Sequence, residues 1–232
     1  MYLKSFPLGE GFRKGLLFIM LDAILFTKPP LLLRSVYRQC LWTVNTTNKV
    51  IYLTFDDGPI PKVTPFVLNE LKKYNALATF FCIGRNVEEN AEIFDRIITE
   101  GHGVGNHSYD HLNGWQTNNA DYYANIEKCD DTIKKRYPAY TPNLFRPPYG
   151  KLKPAQYKTL KDRYKIVLWD VLSFDFDLKM SEEKVLNNVL TNAEPGSVIV
   201  FHDSLKAQQK VEYALPRVLE HFSAKGFKFE KL

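Results

Sequence analysis

The stretch Val50-Ile51-Tyr52-Leu53-Thr54-Phe55-Asp56-Asp57-Gly58-Pro59 decides how the rest of the chain is read. Its first six residues are apolar, β-branched or aromatic, which predicts a buried strand over residues 50–55. Two carboxylates then stand side by side where the strand runs out. Adjacent like charges repel and are costly to desolvate together, so the pair asks for a cation or for solvent. The plainer reading is an Asx-type turn completed by Gly58 and Pro59.

Downstream, short β-type runs alternate with longer runs of helical period. Phe66, Val67, Leu68 and Leu71 make an apolar face on a helix over residues 64–74, followed by a strand at 78–83 that Gly84 ends. Asn86 reads as the cap of a helix carrying Ile93, Ile97 and Ile98, stopped by Gly101. The same alternation predicts strands starting at Val104, ending at Leu144-Phe145, and spanning 166–169, 197–201 and 227–232. Helices are expected over 122–135, 154–163, 181–192 (capped by Ser181) and about 211–225. Strands alternating with helices of this length imply parallel βαβ units, and six or seven of them suggest a closed or nearly closed β/α barrel.

The chain has 232 residues, 45% of them hydrophobic, which suits one sizeable core rather than two domains. The net charge of +5 is scattered, with no basic stripe of the kind that binds nucleic acid. Three widely spaced cysteines, Cys40, Cys82 and Cys129, do not make a disulfide framework, so cysteine usage gives no sign of an oxidising compartment. Residues 1–30 read as an apolar or amphipathic extension to a domain over residues 31–232. Arg13 and Lys14 precede an apolar run that Asp22 interrupts and that is shorter than the ~20 residues a membrane-crossing helix needs. The expectation is a helix at residues 13–26 that packs on the domain or associates with a membrane surface, with an uncleaved membrane anchor or a cleaved signal as alternatives. A cytoplasmic or peripheral membrane location is favoured over secretion, and the oligomeric state is left open.

In a parallel barrel, functional groups collect where strands end. The expected strand ends carry Asp56-Asp57, then Asn106-His107 with His111 four residues on, then Arg146-Pro147-Pro148-Tyr149-Gly150, then Asp170 and Asp175, then His202-Asp203. Each has a plainer reading alone: His107 and His111 as loop histidines, Arg146 as a surface arginine in a rigid loop, His202 as a satisfied rim histidine. Their shared end of one sheet favours a joint role. Two imidazoles and a carboxylate form a catalytic zinc-type ligand set, a second carboxylate can accept a proton, and a separate histidine can protonate a leaving group. His102 and His221 read as structural and surface residues. Trp115, in a polar loop beyond His111, is a candidate for stacking on a sugar ring.

Taken in order, Thr-Phe-Asp-Asp-Gly-Pro (54–59), His-Ser-x-x-His (107–111), Arg-Pro-Pro-Tyr-Gly (146–150), Trp-x-x-x-Ser-x-Asp (169–175) and a late apolar-x-His (200–202) resemble the five motifs of the polysaccharide deacetylases. These form the NodB homology domain, or carbohydrate esterase family four, and the resemblance covers about residues 48–232. It implies a distorted (β/α)7 barrel. It further implies that Asp57, His107 and His111 bind a divalent metal, most often zinc, with cobalt or nickel as alternatives. Asp56 would then be the general base, Arg146 its partner, and the Tyr149 N–H an oxyanion donor. His202 would be the general acid, oriented by Asp175, and Val200 would line the pocket for the acetyl methyl. Pro148 and Trp115 are the remaining substrate-binding candidates. Two positions depart from the family pattern: Phe176 stands where tryptophan is usual, and Leu172 where aspartate is frequent. The implied activity is hydrolysis of N-acetyl groups on amino sugars of a polysaccharide, oligosaccharide or glycolipid, releasing acetate. Alternatives are an O-acetyl ester or non-sugar amide hydrolase of the same fold, and a non-catalytic glycan-binding module.

Overall fold

The computed structural model describes residues 26–232, so the expectation for residues 13–26 lies almost wholly outside the described part. Eight strands are present among these residues: β1 (Val50–Asp56), β2 (Ala78–Cys82), β3 (Gly103–Asn106), β4 (Leu144–Phe145), β5 (Lys165–Ile166), β6 (Val171–Leu172), β7 (Val198–His202) and β8 (Lys228–Phe229). Seven lie in the order β5-β4-β3-β2-β1-β7-β6, and β8 pairs with the start of β1. Every ladder pairing is parallel. The central strands β1, β2 and β7 are almost wholly buried, as continuous apolar runs in a sheet covered on both faces should be.

The helices are α1 (Leu31–Val36), α2 (Val63–Lys73), α3 (Gly84–Glu89), α4 (Ala91–Thr99), α5 (Asn119–Arg136), α6 (Pro154–Leu160), α7 (Glu182–Asn192) and α8 (Gln208–Ala224). α2 buries Val67, Leu68 and Leu71 at helical spacing against the main core, which Phe55, Phe80 and Phe201 fill from the sheet. Capping follows the side-chain chemistry. Asn118 Oδ1 accepts the Asp121 N–H at 3.0 Å, and Ser181 Oγ accepts the Lys184 N–H at 3.2 Å.

The ladder does not close on itself. β5 and β6, the two ends of the sheet, follow each other in sequence without a helix between them. A segment from the start of the described chain fills this seam. Leu41 donates its N–H to the Ile166 carbonyl and accepts the Leu168 N–H, both at 2.8 Å, while Val44 donates to the Gly196 carbonyl at 2.8 Å. The Thr27 carbonyl accepts the Leu172 N–H at 2.8 Å. Arg34 Nη2 reaches Asp170 Oδ1 at 2.6 Å, and Ser197 Oγ donates to Asp170 Oδ2 at 2.6 Å. The distorted barrel expected from the motifs is therefore present, with a non-sheet segment completing its wall.

Two local expectations fail. The strand expected at 166–169 is cut short: β5 ends at Ile166, Val167 makes only an isolated bridge to Leu41, and the carbonyls of Val167 and Leu168 accept hydrogen bonds from the Arg146 guanidinium. The helix expected from Asn86 is broken at Asn90 into α3 and α4. Asn86 lies inside α3 and does not cap it; its amide is spent on the loop after β1, described below.

Candidate active site

Register brings the polar strand ends together. Asp56 at the end of β1 is the direct partner of His202 at the end of β7, and Asn106 at the end of β3 pairs with Phe145, next to Arg146. A cavity of about 370 Å³ opens at this end, and its walls include Asp56, Asp57, His107, His111, Tyr149, Val200 and His202.

Asp57 begins the loop and adopts a left-handed backbone, φ 84°, which a non-glycine residue holds only when its surroundings impose it. Those surroundings are visible. Asn86 Nδ2 donates to the Asp57 carbonyl at 2.6 Å, and the Ile83 N–H donates to the Gly58 carbonyl at 3.0 Å. The Gly58 N–H donates to Asp203 Oδ1 at 2.9 Å, while Asp203 Oδ2 accepts from Thr64 Oγ1 at 2.5 Å. A Cβ at Gly58 would stand 1.9 Å from Asp203 Oδ2, so any larger residue must displace that carboxylate. Of seven non-glycine residues with positive φ among the described ones, five are Asp57, Ser108, His111, Tyr149 and Phe174, all in or next to the strand-end motifs. Strained backbone concentrates where function demands a geometry that local preference would not supply.

Asp56 is buried and receives Arg146 Nη1 at Oδ1, 2.6 Å. The same guanidinium, itself fully buried, donates to Thr54 Oγ1 at 2.8 Å and lies 4.1 Å from the centre of the Phe81 ring. Across the strand boundary, His202 Nδ1 bonds to Asp175 Oδ1 at 2.7 Å, and the His202 N–H donates to Asp175 Oδ2 at 2.6 Å. Burial pulls the His202 pKa down, but the Asp175 carboxylate and its hydrogen bond, with Asp57 and Asp56 beyond, outweigh it and raise the pKa to about 9.

Asp57, His107 and His111 offer one ligand atom each within 4.8 Å of one another. Asp57 Oδ1 is buried without a hydrogen-bond partner, with His111 Nε2 at 3.3 Å and His107 Nε2 at 3.8 Å. His107 Nδ1 bonds to the Arg146 carbonyl at 2.7 Å, which places its hydrogen there and leaves Nε2 with a lone pair. Burial, then the neighbouring His111, holds His107 well below the ordinary 6.5, and burial also lowers His111, so both rings are neutral donors. An orphaned carboxylate oxygen beside two neutral imidazole nitrogens fits a divalent cation.

Other expected residues are placed differently. Pro148 is buried in a short 3-10 turn and Pro147 lines the cavity in its stead. Trp115 does not line the cavity; its Nε1–H donates to the Leu152 carbonyl at 3.1 Å. Asp170 turns away into the seam. His102 is buried and structural, accepting the Ala78 N–H at 3.3 Å, and burial lowers its pKa to about 4. Residues not among the expected site residues also border the site: Lys151, Trp169, Ser204 and Lys206 in the walls, and Asn86 and Asp203 beneath the loop. Behind His107, Asn106 Oδ1 accepts the Ser108 N–H at 2.7 Å, and Asn106 Nδ2 donates to the buried Asp130 at 2.7 Å.

A family model described as polysaccharide deacetylase matches residues 43–164. A peptidoglycan-N-acetylglucosamine deacetylase of Bacillus cereus is 39% identical over 185 residues, covering 78% of this chain and 66% of that protein's length. A chitooligosaccharide deacetylase of Azorhizobium caulinodans is 32% identical over 201 residues, 82% of this chain and 95% of that protein. Among solved structures, a peptidoglycan N-acetylglucosamine deacetylase in complex with 4-naphthalen-1-yl-N-oxidanyl-benzamide superposes with a TM-score of 0.80 at 34% identity. That match covers 86% of this chain and 94% of the other.

Proposed function

The chain belongs to the polysaccharide deacetylase family, a family of hydrolases, and from that premise we propose that it removes N-acetyl groups from the amino sugars of a glycan, releasing acetate. The observation that carries this reading is the pairing across β1 and β7. A carboxylate held by Arg146 and an imidazole held by Asp175 are register partners facing the same cavity as the Asp57-His107-His111 cluster.

Asp57, His107 and His111 would hold the divalent metal, with zinc the best match to two imidazoles and one carboxylate, and cobalt or nickel as alternatives. When bound, such an ion polarises an acyl carbonyl and acidifies a water. Asp56 acts as the base. Arg146 occupies its Oδ1, so Oδ2 is the oxygen that takes the proton from the attacking water. As the water oxygen bonds to the acyl carbon, negative charge develops on the carbonyl oxygen, and the Tyr149 N–H is the proposed donor to it. His202 then completes the reaction. With Nδ1 fixed by Asp175, Nε2 gives its proton to the amide nitrogen as the C–N bond breaks, leaving a free amine and acetate. Val200, buried beside this point in the cavity wall, is the proposed contact for the acyl methyl.

The test is acetate release from N-acetylated chito-oligosaccharides by protein stripped with a chelator and reloaded with zinc or cobalt. Asp56→Asn should keep the metal and lose activity, whereas His107→Ala should lose both. Release from O-acetylated xylan alone would replace the amidase reading with the esterase one. A metal-loaded protein that binds these glycans and releases no acetate would be a binding module.

A further inference from the structure

His107 and His111 stand on a short loop whose backbone is strained. Ser108 and His111 are both left-handed, at φ 61° and 58°, a conformation that L residues hold only when their surroundings impose it. Part of that constraint is Asn106, the fully buried last residue of β3. Its Oδ1 accepts the Ser108 N–H at 2.7 Å, an Asx-type turn that brackets His107. Ser108 in turn accepts the Gly84 N–H at its carbonyl, 3.0 Å, and the Leu112 N–H at its hydroxyl, 3.2 Å, just beyond His111. One side-chain amide therefore stands at the root of the segment that carries both imidazoles.

That amide has a single workable orientation. Its Nδ2 donates to the Ile126 carbonyl at 2.8 Å and to Asp130 Oδ1 at 2.7 Å, both on α5. Turning it over would set its oxygen against two acceptors and its NH2 against the Ser108 N–H. Asp130 is fixed from behind by two hydroxyls, Tyr140 donating to Oδ1 at 3.1 Å and Tyr164 to Oδ2 at 2.5 Å. Three donors thus converge on one buried carboxylate, which can accept from all of them. The plainer role of such a cluster is to tie α5 to the sheet. Its bonds, however, lead through Asn106 onto the loop that carries the candidate metal ligands.

We infer that Asn106, locked by Asp130, is a positioning residue for the metal centre, setting the spacing and aim of His107 and His111 without touching the ion. This rests on the reading that Asp57, His107 and His111 hold a divalent cation, and deepens it. Outer-shell partners of this kind typically govern metal affinity by about 10- to 100-fold.

The experiment uses the full chain, stripped with a chelator, with zinc and cobalt alone as probes. Zinc Kd is read by competition with a chromophoric chelator, and the visible spectrum of the cobalt form reports ligand geometry. Asp130→Ala should weaken zinc by about 10- to 100-fold and shift the cobalt bands. Asp130→Asn keeps an acceptor oxygen for Asn106 and should recover most of the loss. Val218→Ala, on α8 and outside this hydrogen-bonded cluster, should lower the Tm and leave both metal readouts at wild type. An Asp130→Ala protein with the wild-type zinc Kd and cobalt spectrum would overturn the inference and leave the metal reading standing. So would an Asp130→Asn protein as weak as Asp130→Ala, or an equal loss in Val218→Ala. Should Asp130→Ala fail to fold, Tyr164→Phe, which removes one hydroxyl from the carboxylate, decides in its place: a weaker zinc Kd supports the inference and an unchanged one overturns it. Wild-type protein that binds neither ion would refute the metal reading itself, and this inference with it.

Discussion

Arg146→Ala is the substitution whose cost follows most directly from the structure. The guanidinium is fully buried and makes four hydrogen bonds, to Asp56 Oδ1, Thr54 Oγ1 and the carbonyls of Val167 and Leu168. Truncation strands the Asp56 carboxylate in a buried position, and removing one partner of a buried pair costs about 3–5 kcal/mol. The two orphaned carbonyls add to this, but Asp56 lines the cavity and water can enter the vacated space, which offsets part of the loss. The net expectation is about 4 kcal/mol, which lowers the Tm of a domain of this size by roughly 8–16 °C. Urea and thermal unfolding of chelated protein give both numbers free of metal linkage. Asp56→Asn removes the stranded charge, so Arg146→Ala combined with Asp56→Asn should be more stable than the sum of the single effects by about 2 kcal/mol. An Arg146→Ala protein within 1 kcal/mol of wild type, or a strictly additive double variant, would refute the reasoning.

Three further outcomes are expected. In metal-free protein His202 carries its proton up to about pH 9, and Asp175→Asn, which removes the carboxylate that raises it, should lower that value, as measured by NMR of the His202 ring. The sign for stability agrees: a raised folded-state pKa contributes fully below the ordinary 6.5 and is lost as pH climbs through about 9. Gly58→Ala drives a methyl into the Asp203 carboxylate, whose bonds to Gly58 and Thr64 must break, and should destabilise by about 2–4 kcal/mol in urea unfolding while weakening zinc binding by calorimetry. Zinc at a hundredfold its Kd should stabilise the wild type by about 2.7 kcal/mol, and His111→Ala should abolish that gain in a thermal-shift titration.

The parts of this molecule legible in its sequence are those whose signal is local. The apolar run into Asp56-Asp57 is both the strand and the site, and parallel register then sets Asp56 beside His202 without further instruction. What could not be read depends on contacts between distant residues. The strand expected at 166–169 stops at Ile166, and Arg146, far upstream, bonds the carbonyls beyond it. Asn86 looks like a helix cap, since nothing nearby reveals that its amide reaches the Asp57 carbonyl. Trp115 suggested a sugar platform, yet its indole bonds the chain at Leu152 and its ring lies beside Lys151. Asp203 was visible next to His202, but its buried position under Gly58 was not. Lys151 and Lys206 lie outside every helix and strand, where lysine carries no periodic signal.

The seam between β5 and β6 bears on how the protein is made. Its closing segment leaves the ribosome early, yet its partners in the wall arrive much later: Arg34 and Asp170 are 136 positions apart. Until residues 166–197 are synthesised, Leu41, Val44 and Arg34 lack the groups they bond in the finished wall. Closure is therefore a late, long-range event, the class of contact that slows folding most and leaves strand edges open to other chains in the interval. Arg146 draws on the Val167 and Leu168 carbonyls beside that seam, so the guanidinium that holds Asp56 is anchored to the same stretch of wall that this segment closes.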